Sequence, residues 1–183
     1  MFRAVAIGCA AVCALGLGTL TYTKVAARTS SGTPPPMLSP DVMADRIVVE
    51  KSLRKLTLLR SGVTLKEYAI SLGGNGDGGA KKVEGDEKTP EGIYKIDWRN
   101  PKSVAHLSLH ISYPSPEDAA KANELNMPAG GDIMIHGLPN GWGFVGNLHL
   151  LWDWTNGCIA VDNEEMQEIW SMVPDGTEIQ IRP

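Results

Sequence analysis

Past residue 45, apolar side chains recur mainly at every second position, the spacing of half-buried strands. This pattern predicts strands over 46–49, 55–60, 63–72, 93–96, 106–111, 132–136, 157–161 and 177–181. Ser61-Gly62 separates the second from the third, so the first three read as a β-meander. Two segments switch to a helical period. Ser115 is placed to cap a short helix with Pro116 in its first turn, and Pro128 blocks continuation. Asp162 caps a second, with Glu165 three residues on and Met166, Ile169, Trp170 and Val173 on one face before Pro174. The expected fold is mainly β with two short helices, the second packed behind the strand that carries Cys158.

The first residues follow a different rule. Residues 4–22 carry no charge and are rich in Ala, Gly and Leu after the basic Arg3, which reads as an export segment. Small residues at 25–27 suit cleavage after Ala27, while the run is also long enough to stay as an anchor. Residues 1–27 are therefore a signal peptide or membrane anchor. Residues 28–44, with Pro34, Pro35, Pro36 and Pro40, read as a Pro/Ser-rich linker able to hold the domain away from a bilayer. Residues 45–183 form one domain, expected in the periplasm or cell envelope.

A hydrophobic content of 43% with 21% charged residues suits one globular core, and the net charge of −4 offers no basic stripe for nucleic acid. The sequence at 74–79 matches GxGxxG, but the segment after it is polar, so no dinucleotide fingerprint is assigned. His106, His110, His136 and His149 lack tight metal-ligand spacing with Cys158. Neither a metal nor another cofactor is expected.

Cys9 and Cys13 lie in the export segment, which leaves Cys158 as the one cysteine of the domain. A lone thiol outside the cytoplasm is a liability unless it is used. An imidazole in reach can activate it for acyl transfer, and His136, followed by Gly137, is the first candidate base, with His149 second. Gly157 before the cysteine allows a tight turn that can aim backbone N–H groups at an oxyanion. Trp142, Phe144, His149 and Trp154 are candidates for contacting substrate. Trp152 and Trp154 are also expected to wall the catalytic strand.

The order Ile135-His136-Gly137, then Thr155-Asn156-Gly157-Cys158-Ile159, then a capped helix and a closing strand, resembles the L,D-transpeptidase catalytic domain of the YkuD type. Leu72-Gly73-Gly74 and the 85–94 segment resemble stretches that precede the active site in that family. Asn156 departs from the pattern, because many members carry His there. The resemblance implies a β-sandwich fold. It also implies a cysteine enzyme that cleaves the amide between the L-centre of diaminopimelate and the terminal D-alanine of a peptidoglycan stem. The resulting thioester is resolved by an amine: diaminopimelate, a D-amino acid or a lipoprotein lysine.

On this chain Cys158 would be the nucleophile and His136 the base, oriented by the Gly137 carbonyl. The N–H groups around Asn156, Gly157 and Cys158 would form the oxyanion hole. The alternatives are an L,D-carboxypeptidase or a hydrolase of peptidoglycan–lipoprotein or stem-peptide bonds, and, in another class, a non-catalytic wall-binding module. A sortase would need an arginine soon after the cysteine, and the next one here is Arg182.

Overall fold

A computed structural model describes residues 31–183 apart from Asp77 and Gly78, together with Gly18, Thr19, Thr21, Tyr22 and 25–27. Most of the expected export segment and part of the glycine-rich loop therefore lie outside the described residues. Among the described residues, no helix is long and apolar enough to cross a membrane.

Eight strands form one sheet in the order β3-β2-β1-β8-β4-β5-β6-β7. They are β1 Arg46–Glu50, β2 Lys55–Arg60, β3 Val63–Ala69, β4 Gly92–Asn100, β5 Ser108–Ile111, β6 Met134–His136, β7 Ile159–Ala160 and β8 Glu178–Arg182. The first three are the expected meander. Alternation explains their faces: in β1, Ile47 and Val49 are buried while Arg46 is exposed. β8 returns from the far end of the chain to pair parallel with β1, Ile47 opposite Ile179.

β4 makes the sheet curl. Its first half pairs with β8 and its second half with β5, and its register with β5 shifts between Ile96 and Trp98. An irregularity of this kind bends a strand and lets one sheet fold over a common core, giving the sandwich-like, mostly β arrangement. The edges then meet. Beyond β3, Ser71 bridges Ala160 and Gly73 bridges Thr155, so the chain after one edge strand closes onto the turn before the other.

The helices are α1 Pro116–Glu124 and α2 Asn163–Met172. Both begin with reciprocal caps, Ser115 with Asp118 and Asp162 with Glu165. Met166, Ile169, Trp170 and Val173 all join the buried core. Fully burying side chains of this size contributes about 1.5–3 kcal/mol each.

Three expectations need correction. The strand expected over 157–161 is only Ile159–Ala160, so Cys158 lies in the turn before it and not on the strand. The predicted strand 106–111 starts only at Ser108, because His106 is left-handed with φ 62°. Asn140 Oδ1 accepts from His106 N–H, and Gly32 N–H donates to its carbonyl, each at 2.8 Å, so the residue is held outside the ladder. The proline-rich stretch does not stand away from the domain over its described part. Gly32 bonds His106, Leu38 bonds Ser171 and Ala44 bonds Met172 through the backbone. Proline removes donors, but the residues around the prolines still supply N–H groups that dock the chain.

Candidate active site

Cys158 and His136 meet because β6 and β7 are parallel neighbours. His136 ends β6 opposite Ala160, and Cys158 immediately precedes β7. Both line one cleft of about 370 Å3, shared with Ser103, Val104, Met134 and Trp154. The buried His136 ring is fixed through Nδ1, which lies 2.7 Å from the Gly137 carbonyl. A carbonyl can only accept, so Nδ1 carries the proton and Nε2 is left as the base.

Gly137 is required by close approach. A Cβ there would fall 2.7 Å from Asn163 Oδ1 and 2.8 Å from the His106 Cβ. Asn163 Oδ1 also accepts from Leu138 N–H at 2.8 Å, pinning the chain just after the histidine. Asn163 was not singled out from sequence, since an Asn at the start of a helix has an ordinary local use.

The turn carrying Cys158 is equally constrained. Gly157 has φ 116°, and a Cβ there would lie 2.6 Å from the Lys88 carbonyl oxygen. Thr155 Oγ1 donates to the Cys158 carbonyl at 2.8 Å and accepts from Gly157 N–H at 3.2 Å. Gly157 N–H is thus engaged within the turn. Outside it, Gly74 N–H bonds the Thr155 carbonyl at 2.8 Å, and Asp153 accepts from Leu72 N–H while pairing with Arg54 at 2.6 Å.

The aromatic stretch divides between two places. Trp154 lines the Cys158 cleft and also a smaller apolar cavity of about 200 Å3 formed with Leu138, Trp142, Val145, His149 and Trp152. Its ring meets His136 edge-on at 5.7 Å and His149 edge-on at 6.5 Å. His149 is outside the residues lining the Cys158 cleft. It is buried: Ser71 Oγ donates to its carbonyl at 2.8 Å and accepts from Nδ1 at 3.0 Å. Trp142 and Phe144 stack at 5.7 Å, and neither borders the cysteine. Trp152 was expected to wall the catalytic strand but is 59% exposed, because the Gly143–Leu151 3-10 segment turns it outward.

The profile of the YkuD family, the L,D-transpeptidase catalytic domain, matches residues 44–181. The chain belongs to this family. Among solved structures it is similar to the helical cell shape determining protein Pgp2 from Campylobacter jejuni, with TM-score 0.57 and 22% identity over 87% of this chain and 55% of that one. Bd1075 from Bdellovibrio bacteriovorus gives 0.52 and 22% over 84% and 52%. The chain thus spans about half the length of these two structures. No curated protein matches it by sequence.

In this L,D-transpeptidase domain burial favours the neutral forms of Cys158 and His136. Burial pushes the Cys158 thiol up; a Met134 backbone hydrogen bond opposes this, the Asp132 charge adds to it and Lys81 opposes it. Burial lowers His136, against the Gly137 hydrogen bond and with a smaller repulsion from His149. Thiol and imidazole therefore prevail over a thiolate–imidazolium pair near pH 7. A second cleft of about 370 Å3 is lined by Lys81, Glu84, Glu87, Asp132 and Asn156, the last two of which also line the Cys158 cleft. Among the described residues, no three His, Cys, Asp or Glu side chains gather to hold a metal. His110 lies apart, paired with Asp97 at 2.6 Å and stacked on Trp98.

Proposed function

We propose that this L,D-transpeptidase domain is a cysteine acyltransferase acting on peptidoglycan stem peptides in the cell envelope. One observation carries the reading: Cys158 and His136 share a cleft, and the Gly137 carbonyl holds the imidazole in the tautomer whose Nε2 can take a proton.

His136 Nε2 removes the thiol proton as Sγ attacks the donor carbonyl carbon. The amide N–H groups of Asn156 and Cys158 receive the oxyanion, since Gly157 N–H is engaged by Thr155. The C–N bond breaks, the leaving amine takes the proton from the imidazolium, and a thioester remains on Cys158. An acceptor amine then attacks that carbonyl and gives its proton to His136. Collapse expels the thiolate, which is reprotonated. The neutral resting pair suits this order, because the proton moves when the electrophile arrives.

The test is incubation with purified disaccharide-tetrapeptide, with and without an added D-amino acid or diaminopimelate-containing acceptor, read by mass spectrometry. An acyl-enzyme adduct and amine-dependent exchange product support transfer. Tripeptide without exchange assigns hydrolysis instead. Cys158→Ala is expected to stay folded and form neither; product from that variant at the wild-type rate would overturn the mechanism.

A further inference from the structure

One segment of the domain presents uncovered apolar side chains. Phe144, Leu148, Leu151 and Trp152 are 78%, 61%, 73% and 59% exposed, all within the Gly143–Leu151 3-10 segment and the residue after it. From 137 to 152 the chain has no Asp, Glu, Lys or Arg, and burial lowers His149, keeping this stretch neutral. Large aromatic and aliphatic side chains exposed together, without charges among them, mark a surface that meets something other than water.

The route of the chain says what that is. Tyr22 Oη donates to the Gly141 carbonyl at 2.8 Å, and a Cβ on Gly141 would fall 2.6 Å from the Ala26 Cβ. The end of the uncharged run 4–22 is therefore laid against the loop that leads into the exposed face. Tyr22 and Val25 are themselves 52% and 55% exposed. A run of this composition partitions into hydrocarbon, while Tyr and Trp favour the boundary between lipid and water.

We propose that the Phe144, Leu148, Leu151 and Trp152 face rests on a lipid bilayer beside the point where the N-terminal run enters it. The contact is that of a shallow apolar face in the interfacial layer. It orients the domain as well as retaining it. The Cys158 cleft shares Pro139 and Trp154 with the cavity beneath this face, so the cleft is presented close to the membrane surface. This inference is independent of the catalytic reading, and an inactive protein would still show it.

The test uses the full chain in phosphatidylcholine vesicles whose acyl chains carry bromine, a contact quencher of tryptophan. Emission should fall relative to unbrominated vesicles, and Trp152→Phe should remove the larger part of that loss. Trp98→Phe, exposed on β4, should leave it in place. A Phe144→Asp, Leu151→Asp variant should lose the Trp152 quench even while the N-terminal run keeps the protein on the vesicles.

A quench unchanged by Trp152→Phe overturns the proposal, as does failure of the full chain to associate with vesicles. Trp152 still reached by aqueous acrylamide on the vesicle would mean that the face looks to water or a soluble partner. Trp152 shielded from both bromine and acrylamide would assign the face to a second copy of the chain. Either result also overturns it.

Discussion

Thr155 Oγ1 donates to the Cys158 carbonyl at 2.8 Å, so a hydroxyl three residues upstream sets the backbone of the turn that carries the thiol. Thr155 is buried, and valine would keep its shape while leaving the Cys158 carbonyl and Gly157 N–H without this partner. An unmade buried hydrogen bond costs about 1–3 kcal/mol. Thr155→Val should slow acyl-enzyme formation roughly tenfold or more, and Thr155→Ser should recover most of the rate. Single-turnover mass spectrometry measures both, and equal rates for Val and wild type would remove Thr155 from this role.

Gly157→Ala should destabilise the fold as well as the site. The residue would have to hold φ 116° with a Cβ 2.6 Å from a backbone oxygen. Strained backbone of this kind costs about 1–3 kcal/mol. Thermal unfolding should show a lower midpoint together with loss of acylation. An unchanged midpoint would show that the turn relaxes without strain.

Cys158 and His136 should titrate on opposite sides of their ordinary values. Direct alkylation of Cys158 should rise with an inflection above the usual thiol range, while the acid limb of turnover should fall below the usual imidazole range. His136→Ala should abolish that acid limb, and His149→Ala should retain it, since His149 is not among the residues lining the cleft. If the limb survives in His136→Ala and vanishes in His149→Ala, the base is assigned to the wrong histidine.

Stability should fall with acid for a related reason. Burial lowers His106, His136 and His149 below 6.5 in the folded chain, so below that pH the unfolded chain binds more protons. Their contribution is complete above the unfolded value and is lost as pH drops from 6.5 toward each folded value. The urea midpoint should therefore decrease from about pH 7.5 to 5.5, and His149→Asn should show a shallower decrease. An identical slope in that variant would mean that His149 takes up its proton over the same pH range in both states and does not contribute to the linkage.

Local chemistry made much of this fold legible. Asp162 and Glu165 sit at the spacing of a reciprocal cap, and both side chains make those bonds. The alternation in 46–49 set which residues enter the core, because a strand exposes its two faces by turns, whereas in 55–60 Thr57 is buried along with Leu56 and Leu58. The His136 and Cys158 pair was readable from residue type and context. Their meeting in one cleft required the parallel pairing of β6 with β7, which no short window of sequence encodes.

By itself the sequence determined the strands, the two capped helices, and the thiol and imidazole available for chemistry, since each depends on a residue and its near neighbours. Only the tertiary structure decided that His106 leaves its strand, that His149 is buried against Ser71, and that Trp152 turns outward. It also brought Asn163 to the turn after His136 and docked the described part of the proline-rich stretch onto the domain. These outcomes depend on partners tens of residues away along the chain. A buried N–H or ring nitrogen takes whichever acceptor the closed sheet places beside it, and that placement exists only once both edges of the sheet have met.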